Sequence, residues 1–184
     1  MDSDPKLSFE FYPPQTEEGV KNLKKTASEL NKFNPEFFSV TFGAGGSTKE
    51  KTLDTILALG KSGFNVTPHI SCISSSKEEI KELLEKYKSQ KINHIVALRG
   101  DNPSGAVSFG DLNYANELVN FIKSEMGDTF KIDVGAYPEV HPESESAKQD
   151  FLNFKTKVEA GADGAITQFF YNVDAYFKFV DECQ

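Results

Sequence analysis

Leu7-Ser8-Phe9-Glu10-Phe11-Tyr12-Pro13-Pro14 is a short apolar run that carries one charge and is stopped by a pair of prolines. Side chains alternate along a strand, so Leu7, Phe9 and Phe11 share one face while Ser8 and Glu10 share the other. An unpaired carboxylate buried there is costly, so the position is kept either by a specific partner or by a chemical task such as delivering a proton. Glu10 is therefore the first candidate catalytic residue, and its strand is expected to bury it.

Five further short runs read as strands: Phe37 to Phe42, Asn65 to Ile70, His94 to Leu98, Lys131 to Tyr137 and Ala165 to Phe169. Amphipathic segments separate them. Val20, Leu23, Ala27 and Leu30 form one stripe at helical spacing, and Ile80, Leu83, Leu84 and Tyr87 another. Ser47 with Glu50 and Ser76 with Glu79 have capping-box spacing, and Gly161 stands where a helix end needs a left-handed residue. Strand–helix units recurring every ~30 residues predict parallel strands joined by right-handed crossovers, hence an α/β protein.

A doubly wound sheet would want a glycine-rich phosphate turn after an early strand. The cluster Gly43-Ala44-Gly45-Gly46 follows the second strand and lacks the dinucleotide spacing. A β/α (TIM-type) barrel explains more, because polar residues stand at the carboxyl end of nearly every strand, where such barrels gather their chemistry. Glu10, Thr41, His69, Arg99 with Asp101, Tyr137 with His141, and Gln168 are so placed. A closed barrel needs eight units over about 250 residues. The expectation is thus a single domain over residues 1–184, an incomplete barrel truncated at the carboxyl end, with Leu7 to Phe11 and Ala165 to Phe169 as unpaired edges.

Composition narrows the function classes. The net charge of −8 argues against nucleic-acid affinity. No apolar run reaches the ~18 residues of a membrane span, and the acidic amino terminus is unlike a secretory leader, which points to a cytoplasmic protein. Cys72 and Cys183 are too few for a disulfide framework and read as reduced packing thiols.

Each strand-end motif also has a plain structural reading. His69 could simply hydrogen-bond in the barrel mouth, and His94, which opens its strand, reads as structural. Arg99-Gly100-Asp101-Asn102-Pro103 offers a cation, an acceptor and a glycine that lets a flat or anionic ligand approach, yet a surface turn uses the same residue types. Tyr137-Pro138-Glu139-Val140-His141-Pro142 reads as a rigid loop or a binding loop. Lys157, with Asp150 and Asn153, lies on the next helix, where lysines are usually solvated. A metal site built from Glu10, His69 and His141 is the rival chemistry, without tight ligand spacing to support it.

Taken together, Ser8 to Pro14, Ser39-Val40-Thr41-Phe42-Gly43-Ala44, Pro68-His69, Ala97 to Asp101, Ala136 to Pro142 and Ala165-Ile166-Thr167-Gln168-Phe169-Phe170 resemble, in order, the motifs of the methylenetetrahydrofolate reductase family. The resemblance spans the whole chain. It implies an FAD-dependent barrel, a flavoprotein oxidoreductase acting on CH–NH groups. Such an enzyme passes a hydride from NADH or NADPH to 5,10-methylenetetrahydrofolate by a ping-pong route and feeds methionine synthesis. It implies Glu10 as the general acid that opens the folate ring, Asp101 as a residue near flavin and pterin that also contacts the folate, and Gln168 as a substrate-binding residue. Thr41, Phe42, Ala44, His69, Arg99, Gly100, Asp101, Tyr114, Ala115, Tyr137 and His141 match positions lining the flavin, with Asp150, Asn153 and Lys157 on its ribose and phosphate side. The expected partners are the folate and, for the complete protein, further copies in a homo-oligomer; no metal, nucleic acid or membrane is expected.

Departures from the family pattern bear on this carry-over. Phe42 stands where a tyrosine is common, Thr156 stands beside Lys157 where a second basic residue is common, and the last two strands are absent. A non-catalytic flavin-binding remnant and a metal-dependent lyase on a similar barrel remain the alternatives.

Overall fold

The structure, a computed structural model, describes residues 6–42, 49–73, 75–101 and 110–184. Among these residues six strands alternate with six helices. The strands are β1 (Ser8–Phe11), β2 (Phe37–Val40), β3 (Val66–Ser71), β4 (His94–Leu98), β5 (Lys131–Ala136) and β6 (Gly164–Thr167). The helices are α1 (Glu17–Leu30), α2 (Lys49–Gly60), α3 (Lys77–Ser89), α4 (Ala115–Met126), α5 (Ala147–Glu159) and α6 (Val173–Glu182). Single 3-10 turns follow α1 and α4. Every expected strand is present; His94 to Leu98 matches at both ends and the others are displaced by at most two residues at an end.

All neighbouring strands pair in parallel, in the order β1-β2-β3-β4-β5-β6, the open arc of a β/α barrel. β1 and β6 are the two edges. Exposed apolar side chains mark them: Leu7 and Tyr12 flank β1, and Ile166, Phe169 and Tyr171 lie along and beyond β6.

Local chemistry accounts for the helix ends. Thr16 Oγ1 accepts from the Gly19 N–H at 3.0 Å and caps α1, whose first turn carries Glu17 and Glu18 against the helix dipole. Ser76 and Glu79 form the expected reciprocal box at α3. Gly161 follows α5 at φ +109°, in the left-handed region that favours glycine. Ser47, the other expected cap, lies outside the described residues.

The sheet's two faces differ in chemistry. Phe38, Val40, Ile70, Ile95, Ile132 and Val134 face the helices and are buried against Ile56, Leu84, Tyr87, Leu118 and Ile122. The alternate positions Ser39, Thr67, His69, His94 and Asp133 face the barrel interior and are buried and polar. Phe9 and Phe11 stack on Phe38, with ring centroids 6.0 and 5.4 Å apart, which turns Glu10 toward the interior face. Toward the amino ends of the strands, His94 Nε2 lies 2.7 Å from Asp133 Oδ2 and its Nδ1 lies 3.1 Å from Thr67 Oγ1. His94 is thus a structural residue, satisfied at both ring nitrogens.

The cysteines divide. Cys72 is fully buried, and burial pushes its thiol up to about 11, so it is an inert packing residue. Cys183 is exposed at the end of α6, contrary to the packing role expected for it.

Tyr87 is wholly buried and its hydroxyl has no hydrogen-bond partner among the described residues. Burial raises the phenol's pKa accordingly. Tyr87→Phe should leave stability unchanged or raise it by up to about 1 kcal/mol, since an orphaned buried hydroxyl carries a desolvation cost without a bond to offset it. Thermal melting checks this; a clear loss of stability would mean that the hydroxyl has a partner.

Candidate functional site

The carboxyl ends of β1, β2 and β3 bring Glu10, Thr41 and His69 to the same interior face. Glu10 pairs in register with Ser39, and Val40 with Pro68, so Thr41 and His69 stand one step further along the ladder. His69 Nε2 is 3.4 Å from Glu10 Oε2, longer than a good hydrogen bond. Burial lowers the His69 pKa to about 4, so the imidazole is neutral at physiological pH and the contact is not an ion pair. Partial burial raises the Glu10 pKa, favouring the proton-carrying form.

Glu10 is less enclosed than its strand pattern predicts: its side chain is 51% exposed. The reason is position, because β1 is an edge strand of the described sheet. Among the described residues the buried carboxylate is Asp133, which the strand Lys131 to Tyr137 carried in plain view.

Thr41 Oγ1 and His69 Nε2 are buried and without a hydrogen-bond partner among the described residues. Two orphaned polar atoms on one face, beside a protonatable carboxyl, suit a flat heteroaromatic ligand whose ring atoms both donate and accept. Phe42 takes the opposite side, lining a cavity of about 200 Å³ with Leu53, Ile70 and Ile80 toward the helices. Ala44, Asn102 and Pro103 lie outside the described residues.

Beyond β4, Arg99 Nη2 meets Glu143 Oε2 at 2.6 Å, a partner from the loop after β5 that the sequence does not announce. Gly100 adopts φ +86°, and a Cβ there would overlap Ser71 Oγ, which itself donates to the Arg99 carbonyl at 2.7 Å. The glycine is therefore required by the turn and by Ser71. Asp101 is exposed. Tyr114 caps α4, ahead of Ala115, and is exposed.

The loop after β5 is tightly organised. The Tyr137 and His141 rings meet edge to face at 4.5 Å, and the His141 N–H donates to Asp150 Oδ2 at 3.0 Å. Burial, reinforced by Asp101 and Asp150, raises the Tyr137 pKa. Tyr137 and Asp150 line a groove of about 420 Å³ between α5 and α6. Lys157 is turned inward: its ammonium donates to the Gly135 carbonyl, and burial lowers its pKa. Asn153 Oδ1 accepts from Gln149 at 3.0 Å, and Gln168 Oε1 accepts from the Phe169 N–H at 2.8 Å.

Glu10 and His69 meet, but His141 sits with Tyr137 and Asp150. Among the described residues no three histidine, cysteine or carboxylate groups converge to hold a cation, so the two-histidine, one-carboxylate site weighed from sequence is not assembled. No helix among them is long and apolar enough to cross a membrane.

The chain matches the methylenetetrahydrofolate reductase family over residues 2–184. It is 44% identical over 178 residues to the 5,10-methylenetetrahydrofolate reductase of Escherichia coli, covering 96% of this chain and 59% of that protein. It is 40% identical to methylenetetrahydrofolate reductase (NADH) 1 of Arabidopsis thaliana, covering 97% of this chain and 32% of the plant protein. The chain thus spans about three-fifths of the length of the bacterial relative. Among solved structures, a Clostridium thermocellum protein that binds two copies of 5-methyl-5,6,7,8-tetrahydrofolic acid superposes with a TM-score of 0.69 at 17% identity, covering 96% of this chain and 59% of that one. N-acetylneuraminate lyase of Mycoplasma synoviae superposes at 0.60, also at 17% identity, covering 95% and 58%. Those two likenesses concern the fold. The sequence match along the whole chain goes further: this chain belongs to the methylenetetrahydrofolate reductase family.

Proposed function

We propose that the protein to which this chain belongs reduces 5,10-methylenetetrahydrofolate to 5-methyltetrahydrofolate, with FAD as cofactor and NADH or NADPH as electron donor. The observation that carries this reading is the pairing, at the strand ends, of Glu10, whose affinity for a proton is raised, with the buried and neutral His69. When bound, the flavin supplies the hydride chemistry, accepting a hydride from the nicotinamide and giving it to the folate carbon.

The chain's own residues supply placement and the proton. Thr41 Oγ1 and His69 Nε2, without hydrogen-bond partners among the described residues, would bind the flavin ring edge, with Ala44, Arg99, Gly100, Asp101, Tyr114, Ala115, Tyr137 and His141 around it, while Phe42, turned toward the helices, would pack behind the strand end instead of touching the ring. Asp150, Asn153 and Lys157 would take the ribose and phosphate side, once Lys157 exchanges the Gly135 carbonyl for the ligand. Glu10 would protonate the folate nitrogen that leaves when the five-membered ring opens to the iminium, beside a neutral imidazole that does not compete for its proton. Asp101 and Gln168 would bind the pterin.

Purified full-length protein should therefore release FAD on denaturation. Chromatography of the released chromophore decides the point, and either FMN or failure to take up flavin from excess FAD would count against the reading.

A further inference from the structure

Glu139 lies outside the residues assigned to flavin or folate, yet it bridges two of the loops that carry them. Its Oε1 accepts the backbone N–H of Asn172 at 2.7 Å and that of Tyr171 at 3.3 Å. Both donors sit at the amino end of α6, where the helix dipole also favours a carboxylate. One side chain from the loop after β5 thus ties down the loop after β6.

The turn that presents Glu139 is strained. Val140 adopts φ +81°, a conformation costly for a β-branched residue, and such strain persists where the surroundings over-determine it. Here they do. The Val140 N–H donates to the Tyr137 carbonyl at 3.3 Å, and the neighbouring His141 is held through both its ring and its backbone N–H. The same turn therefore sets Tyr137 and His141 on one side and aims Glu139 at α6 on the other.

The segment it reaches carries Gln168. The Gln168 N–H donates to the Ala136 carbonyl at 2.7 Å, so Gln168 to Asn172 is pinned to β5 at its start and to Glu139 at its end. Without Glu139 the far end would keep the Asn172 side chain, which caps α6 by accepting from Asp174 and Ala175, and the stacking of Phe170 on Tyr176, but would lose its link to the loop after β5. We infer that Glu139 is a positioning residue, a strut that fixes Gln168 and Phe169 relative to Tyr137 and His141 without touching the reactants. The inference rests on the reductase reading for its kinetic consequence, and on geometry alone for the strut.

The test uses full-length, flavin-loaded protein with Glu139→Ala and Glu139→Gln. In Glu139→Ala the KM for methylenetetrahydrofolate should rise about tenfold, the scale of one lost charge-assisted hydrogen bond, with a smaller change in kcat, and flavin content should hold. Glu139→Gln keeps an acceptor oxygen and should recover most of the loss. Amide exchange at Tyr171 and Asn172 should quicken in the alanine variant and return toward wild type in the glutamine variant. Unchanged exchange overturns the strut whatever the protein catalyses. Faster exchange with unchanged KM, or a glutamine variant no better than alanine, overturns the positioning role. A wild type that neither binds flavin nor reduces folate would instead overturn the reductase reading, leaving amide exchange to decide the strut.

Discussion

Glu10→Gln in the full-length protein should leave reduction of the flavin by NADH or NADPH within about twofold of wild type, while the folate half-reaction falls at least about a hundredfold, the usual scale for losing a general acid. The asymmetry follows from what each half-reaction needs. Hydride transfer from a nicotinamide requires no proton from the protein, whereas opening the folate ring expels a nitrogen that must be protonated. Glutamine preserves the shape of the side chain and its contact with His69, 3.4 Å away, and removes only the proton. Stopped-flow measurement of the two half-reactions separates the cases. A folate step that keeps its rate, or two steps that collapse together, would remove Glu10 from the role of acid.

The pH profile should carry the same signature. Because the Glu10 pKa is raised, its acid form persists to higher pH than an ordinary glutamate's, and the folate step should weaken as pH rises through that value. His69 behaves oppositely with respect to stability. Its folded pKa, about 4, lies below the ordinary histidine value, so the folded state resists protonation, and its contribution is present at neutral pH and lost as pH falls from about 6.5 toward 4.

The barrel architecture was legible because it rests on periodicity. Strands at regular spacing with polar residues at their carboxyl ends read as parallel β/α units, and the Ser76–Glu79 cap and the glycine after α5 formed where their chemistry requires. The face on which each strand residue lies was equally legible, since alternation is a local property. Depth was not. Glu10 and Asp133 are both carboxylates inside short strands, and the argument from buried charge applies to each, but Glu10 lies on an edge and is half exposed, while Asp133 lies between two strands and is enclosed. Pairings between loops were also invisible: Arg99 with Glu143 and Glu139 with Asn172 join residues more than 30 positions apart, and no local pattern encodes them. Lys157 was readable as a helix lysine, but its inward turn to the Gly135 carbonyl depends on how α5 packs on β5.

Asp133 should prove to be the carboxylate that the fold needs most. Its Oδ2 lies 2.7 Å from His94 Nε2, and the pair is shielded from water on an interior face where Thr67 occupies the other ring nitrogen. Asp133→Ala would strand an imidazole N–H in the interior, at a cost of about 3 kcal/mol, between the loss of a charge-assisted hydrogen bond and the breaking of a buried ion pair. For a chain of this size that corresponds to a fall of roughly 6–12 °C in melting temperature. Gly164, directly across the β5–β6 register from Asp133, supplies an independent check. A Cβ there would overlap Asp133 Oδ1, and His94 prevents the carboxylate from moving aside. Gly164→Ala should therefore destabilise strongly when Asp133 is present and much less in the Asp133→Ala background, so the two losses should be less than additive by about 1 kcal/mol or more. Calorimetric melting of the two single variants and the double variant closes this cycle, and strictly additive losses would show that the carboxylate does not hold the position the structure assigns to it.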